Sequence, residues 1–226
     1  MESIKDLARK GLSAGLYDSL VLGRDLIQRL IQWPSVYFHP LWQKSAQRSM
    51  QYQDRLVGER CVVIGTGPSL RGMDLSYLKD EYTFGMNRIY LAFEEWGFQT
   101  SFIVSVNDLV IEQCSDDFHD LQIPKFISWR AKDLLYPDGN LDQYTQFLYS
   151  TYTGEKFSKK MIARFWEGAT VTYICLQLAY CMGFKEVVLI GVDHSFEKKG
   201  KANITVVSDG EDPDHFSPAY FGKGFR

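Results

Sequence analysis

The hydrophobic rhythm of the chain changes near residue 60. Up to about residue 32, Ile4, Leu7, Leu12, Leu16, Leu20, Ile27, Leu30 and Ile31 recur at close to helical spacing among Lys and Arg, which predicts an amphipathic helix. Pro34, which has no N–H to donate, is expected to end it. Such a helix can pack on its own domain or lie against a membrane surface or a partner, and packing on the domain is the expectation. Residues 33–60 bring Trp33, Tyr37, Phe38 and Trp42 ahead of a polar stretch rich in Gln and Arg. They read as a turn, a second helix and a connector.

From residue 61 short apolar runs alternate with helical segments, the pattern of βαβ units. Strands are expected at 61–65, 83–86, 102–106, 125–128 and 186–190, and helices near 74–78, 91–96, 109–118 and 170–182. Asp74 and Thr170 are suited to cap helix N-termini, and Gly183 stands where a left-handed C-terminal residue belongs. The aromatic-rich stretch 131–166 shows no clear period and reads as an insertion or lid. The fold class is therefore α/β, a Rossmann-like, doubly wound, mostly parallel sheet with a helical N-terminal extension. The expected division is 1–56 for the extension and 57–226 for a nucleotide-binding transferase domain.

Composition narrows the partners. A net charge of -3 argues against a nucleic-acid binder, which would carry a basic face. An aromatic content of 15% suggests stacking surfaces or a thick core. The four cysteines form no Cys-x-x-Cys pair, and three lie in apolar runs, so buried thiols in a reducing cytoplasm are expected. No apolar run approaches the roughly 18 residues of a membrane span. Contact with the inner face of a membrane is left to the N-terminal helix.

In an open parallel sheet ligands collect at the carboxyl ends of the strands. After the first expected strand comes Gly65-Thr66-Gly67-Pro68-Ser69, where missing Cβ atoms and a hydroxyl beside backbone N–H groups suit a phosphate. The spacing is neither the Gly-x-Gly-x-x-Gly of dinucleotide folds nor a P-loop, which disfavours NAD binding and a P-loop ATPase. Asn87 and Arg88 follow the second strand, Asn107 and Asp108 the third, and Asp193 and His194 the last. Each asparagine alone is equally a helix cap. Together with the glycine turn they indicate a nucleotide site, with Arg88, Asp108, Asp193 and His194 as candidates for holding substrate.

Five blocks carry a resemblance: Gly-Thr-Gly-Pro-Ser-Leu at 65–70, Phe-Gly-Met-Asn-Arg-Ile-Tyr at 84–90, Gly-Ala-Thr-Val-Thr-Tyr at 168–173, the run 183–194 ending in Gly-Val-Asp-His, and Asp-His-Phe-Ser-Pro-Ala-Tyr-Phe-Gly-Lys-Gly at 214–224. Over roughly 55–226 the chain resembles the bacterial branch of the family named for the archaeal 6-hydroxymethylpterin diphosphokinase, which also holds the motility accessory factor glycosyltransferases. A more distant likeness is to bacterial sialyltransferases that use CMP-sialic acid. It implies Gly65, Gly67, Ser69, Asn87 and Asn107 as nucleotide ligands, with Thr66, Pro68 and Thr170 in the same blocks, and His215 as general base. Thr66 stands in place of that group's asparagine, and Ser195 and Phe196 in place of its tyrosines.

For His215, Asp212 or Asp214 could orient the ring; a surface histidine in an acidic loop is the plainer alternative. The expected activity is transfer from a nucleotide sugar, a CMP-activated acidic sugar first, to a glycan or small-molecule acceptor, with no cofactor and no metal ligand. The alternative is a pterin diphosphokinase using ATP and Mg²⁺, with Asp108, Asp193 or the group Asp209, Glu211, Asp212 and Asp214 as carboxylate donors. A third class is a non-catalytic nucleotide-binding module. The sequence stops inside the last resembling block, so a truncated C-terminus is expected.

Overall fold

The computed structural model describes residues 14–152, 154, 156–193 and 212–221. At its centre Cys61 to Ile64, four consecutive apolar residues, are all buried. They form strand β1 (Arg60–Ile64), which can be apolar on both faces because each face is covered. β2 (Tyr82–Met86) pairs with one edge of β1, Ile64 opposite Gly85, and β8 (Glu186–Ile190) pairs with the other, Ile64 opposite Ile190. Beyond β2 lie β3 (Phe102–Ser105), β4 (Lys125–Ser128) and β5 (Thr145–Leu148). The six strands run in the order β5-β4-β3-β2-β1-β8, every neighbouring pair parallel. The fold is a doubly wound α/β sheet of Rossmann-like type.

The chain steps outward from β1 to β5, crosses back, and returns beside β1 as β8. This reversal makes the β1/β8 carboxyl edge the switch point, where open α/β sheets take their ligands. The returning crossover carries α7 (Val171–Met182), whose Thr170 hydroxyl caps Thr172 N–H and whose C-cap Gly183 has φ 91°, both as the sequence predicts. α7 covers one face, where Val63, Phe84, Val104 and Phe126 meet Ile174, Cys175 and Leu178. The other face is covered by short segments and by α2 (Pro40–Met50), whose Leu41 and Trp42 join Trp129, Phe147 and Tyr149. All four cysteine thiols are buried.

Several sequence expectations are corrected. α1 (Ala14–Tyr37) runs through Pro34 and ends three residues later, its last turn anchored by buried Val36 and by Tyr37 edge-on to Trp42. Among the described side chains of α1, packing on the domain is seen at that end, whereas Leu20, Ile27, Leu30 and Ile31 are exposed. The expected helix at 109–118 is two, α4 (Asp108–Gln113) and α5 (Ser115–Asp120), broken at Cys114, whose φ of -125° is not helical. The helix expected at 74–78 is only a 3-10 turn, with the Asp74 carboxylate accepting from Ser76 N–H. Residues 91–96 are a 3-10 turn leading into α3 (Phe93–Trp96).

The stretch 131–166 is not wholly irregular. After α6 (Lys132–Leu135) it supplies β5, the outer strand, and the small parallel pair β6 (Ser150–Thr151) and β7 (Phe165–Trp166). β5 hides from a hydropathy reading because its buried residues include Thr145 and Gln146. Among the described residues no helix is long and apolar enough to cross a membrane.

Candidate active site

A cavity of about 380 Å³ opens at the β1/β8 switch point. Gly65, Thr66, Gly67, Asn87, Asn107, Thr170, Asp193 and His215, all singled out in the sequence, line it together although they span 150 positions of chain. Met86, Ala169, Val171, Thr172, Gly191, Val192 and Asp214 complete the lining. Pro68 and Ser69 fall outside it, in the 3-10 turn Pro68–Leu70.

The glycine turn does a different job from the one its composition suggests. Gly65 N–H donates to Ile190 O at 2.8 Å and Gly67 N–H to Gly191 O at 2.9 Å. Ser69 N–H donates to the Asp193 carboxylate at 2.9 Å. These donors were expected to meet a phosphate, and the end of β8 meets them instead. A Cβ at Gly65 would collide with Gly191 O, and one at Gly67 with the Asp193 carboxylate, so both glycines are required for close approach of two chain segments. Asp193 thus ties the turn after β1 to the turn after β8.

The asparagines are partly committed. Asn107 accepts Leu109 N–H at 3.1 Å as the N-cap of α4. Its amide N–H₂ is the part left for a ligand. Asn87 has φ 49°, a left-handed backbone that asparagine tolerates better than most residues, and its Oδ1 accepts from Ser105 Oγ at 2.9 Å. On the facing wall, Gly168 and Ala169 have φ of 52° and 63°. For alanine that conformation costs about 1–3 kcal/mol. The turn it makes aims the N-terminus of α7, Thr170 to Thr172, at the cavity, where the helix dipole favours an anion.

His215 arrives from the far end of the chain on the segment 212–221. Arg71 donates to the carbonyls of Asp212 at 2.8 Å, Pro213 at 3.1 Å and His215 at 2.6 Å. Arg88 donates to the carbonyls of Ala219 and Tyr220, so this expected substrate ligand holds the segment in place. Phe216 N–H donates to Thr66 O at 2.9 Å. The His215 ring stacks on buried Tyr220, centroids 4.0 Å apart, and its Nδ1 lies 2.8 Å from Asp212 Oδ2. Burial lowers the His215 pKa, and the Asp212 carboxylate opposes that only in part. The imidazole is therefore neutral at pH 7.

Asp108 is engaged by Arg130, Nε to Oδ2 at 2.8 Å, in an adjoining part of the cleft. His194, Asp209 and Glu211 lie outside the described residues. Sequence reasoning missed Ala169, Gly191, Arg71 and Tyr220. Gly191, directly after an apolar run, carried a local signal. Arg71 carried none, because its partners lie more than 140 positions away.

The family described as 6-hydroxymethylpterin diphosphokinase MptE-like matches residues 41–199, from α2 to just beyond β8, and stops short of His215. No curated protein matches the chain.

Proposed function

The chain belongs to the MptE-like family, and from that premise we propose that it is a nucleotide-dependent transferase that deprotonates an acceptor hydroxyl with His215, its donor being a nucleotide sugar, a CMP-linked acidic sugar foremost. The observation that carries this reading is one cavity lined by His215, by both strand-end asparagines and by the α7 N-terminus. Asp212 Oδ2, at 2.8 Å, accepts a hydrogen bond from Nδ1–H and so leaves the Nε2 lone pair as base. The acceptor oxygen gives its proton to Nε2 and attacks the anomeric carbon. The bond from that carbon to the phosphate oxygen breaks, and the nucleotide leaves as a phosphate anion next to the α7 N-terminus. The resemblance of the 65–70 and 214–224 blocks to the CMP-sugar enzymes supports the choice of donor.

The family description favours a second reading, in which a pterin hydroxymethyl group attacks the β-phosphorus of ATP and AMP leaves. The same base serves. Asp214 and Asp193, the latter already accepting Ser69 N–H, line the cavity and are hard oxygen donors of the kind Mg²⁺ takes, whereas Asp108 is paired with Arg130. Mg²⁺ held there would supply neutralisation of the phosphate charge.

A thermal-shift panel of CMP, CDP, UDP, GDP and ATP, each with and without Mg²⁺, separates the two. At a hundred times its Kd, CMP is expected to stabilise the protein by about 2.7 kcal/mol without added metal. Stabilisation by ATP alone, and only with Mg²⁺, would transfer the assignment to the diphosphokinase.

A further inference from the structure

A second cavity, about 560 Å³, lies beside the first and shares with it the wall of Asn107, Ala169, Thr170 and Val171. It is within the range of small-molecule sites, about 300–1,000 Å³. Arg130 organises its far side. Its Nε donates to Asp108 at 2.8 Å, Nη1 to Glu167 at 2.8 Å and Ser150 Oγ at 3.3 Å, and Nη2 to Val106 O at 2.9 Å and Tyr152 Oη at 3.0 Å. All five guanidinium N–H groups are thereby committed. Burial works against this cation, but Glu167 and Asp108 outweigh it and its pKa is raised. One guanidinium against two carboxylates gives the described residues of this lobe a net negative charge, and no cationic side chain among them is left for an incoming anion.

The same arginine fixes a flat surface. Its guanidinium carbon lies 4.8 Å from the Tyr152 ring centroid, while Tyr152 itself is 60% exposed. A ring pinned on one side and open on the other is a stacking platform whose order is already established before a ligand arrives. The Asp108 side chain, 48% exposed, stands beside it as an acceptor for hydroxyl protons.

We propose that this second lobe is the acceptor subsite and takes a neutral, polyhydroxylated ring, a saccharide unit, stacked on Tyr152 with its hydroxyls donated to Asp108. The assignment rests on the transferase reading above and adds a division by charge. The anionic donor belongs on the His215 side of the α7 N-terminus, and the negative lobe on the other side of that shared wall repels it. An uncharged acceptor incurs no such repulsion, and the shared wall leads its hydroxyl toward the lobe that holds His215.

The test titrates wild-type protein with methyl β-galactoside, methyl β-glucoside and methyl β-glucuronide by saturation-transfer NMR, and separately with CMP by calorimetry. The neutral glycosides are expected to bind, the glucuronide more weakly than the glucoside, with Asp108→Asn narrowing that gap. Tyr152→Ala should weaken glycoside binding about tenfold, the size of a lost stacking contact, and Tyr152→Phe should not. Leu109→Trp, at a half-exposed position of the lobe wall, should block glycosides while leaving CMP affinity unchanged. Neutral glycosides that fail to bind wild type, or that bind Tyr152→Ala and Leu109→Trp as well as wild type, would overturn the subsite; so would a preference for the glucuronide. CMP binding without glycoside binding defeats this inference alone. Glycoside binding that depends on Tyr152, with no CMP binding, supports the subsite and removes the CMP reading.

Discussion

His215 shows how much one side chain depends on distant ones. A histidine in an acidic loop would ordinarily have its pKa raised by the neighbouring carboxylates. Here burial is the larger influence and the pKa falls below the usual 6.5, with Asp212 opposing. Turnover should therefore rise with pH through a value below 6.5 and stay level above it. Asp212→Asn removes the opposing charge, so the acidic limb should move to still lower pH while the plateau rate drops. His215→Ala should lose about 10²- to 10⁴-fold in kcat at unchanged nucleotide affinity; pH-rate profiles beside calorimetric titrations check both. The stability linkage has the same sign. Between the lowered folded value and 6.5 the unfolded chain binds more protons, so stability rises with pH across that window and is level above it. A His215→Ala protein whose melting temperature follows pH as wild type does would assign that slope to other groups.

At the scale of elements, the strap that carries His215 is held through its backbone carbonyls by Arg71 and Arg88. Arg71→Ala should cost about 10²-fold in kcat through displacement of the base, with little change in melting temperature because the strap lies outside the sheet. Gly65→Ala should act the other way. Its Cβ meets the backbone of Gly191, which cannot swing aside, so a loss of stability near the upper end of about 1–3 kcal/mol is expected by urea denaturation. A Gly65→Ala protein as stable as wild type would mean that the turn after β1 and the end of β8 are not in contact in solution. This difference also marks what was legible in the sequence. β1 and β8 were visible as apolar runs, and the α7 boundaries as Thr170 and Gly183, because burial and capping are local in sequence. β5 was not, because Thr145 and Gln146 are buried in it. The glycine turn was legible as a close approach but not as to what approaches, since Asp193 and Gly191 lie more than 120 positions downstream. The arginine contacts to the strap are to carbonyls, which every residue has, and so leave no mark on the sequence.

Over the whole molecule, the boundary of the cooperative unit falls within the N-terminal region. Val36, Leu41 and Trp42 are each at most 5% exposed, and Ser45 Oγ accepts Phe147 N–H at 2.6 Å, which ties α2 to the outer strand β5. The family match likewise begins at residue 41. Among the described side chains before residue 33 the balance reverses, since Leu20, Leu26, Ile27, Leu30 and Ile31 are all more than half exposed. Removing residues 1–32 should therefore change folding stability by no more than surface substitutions do, about 0.5 kcal/mol. Removing residues 1–50 deletes the three core side chains Val36, Leu41 and Trp42, a loss of several kcal/mol, and leaves a buried N–H on β5 without its acceptor, about 1–3 kcal/mol more, against a total of about 5–15. Calorimetry of the two truncations checks this: the shorter deletion should melt cooperatively within a few degrees of the full chain, and the longer one should show no cooperative transition. A shorter deletion that melts far below the full chain would mean that α1 packs along its whole length on the domain, as its periodicity alone suggested.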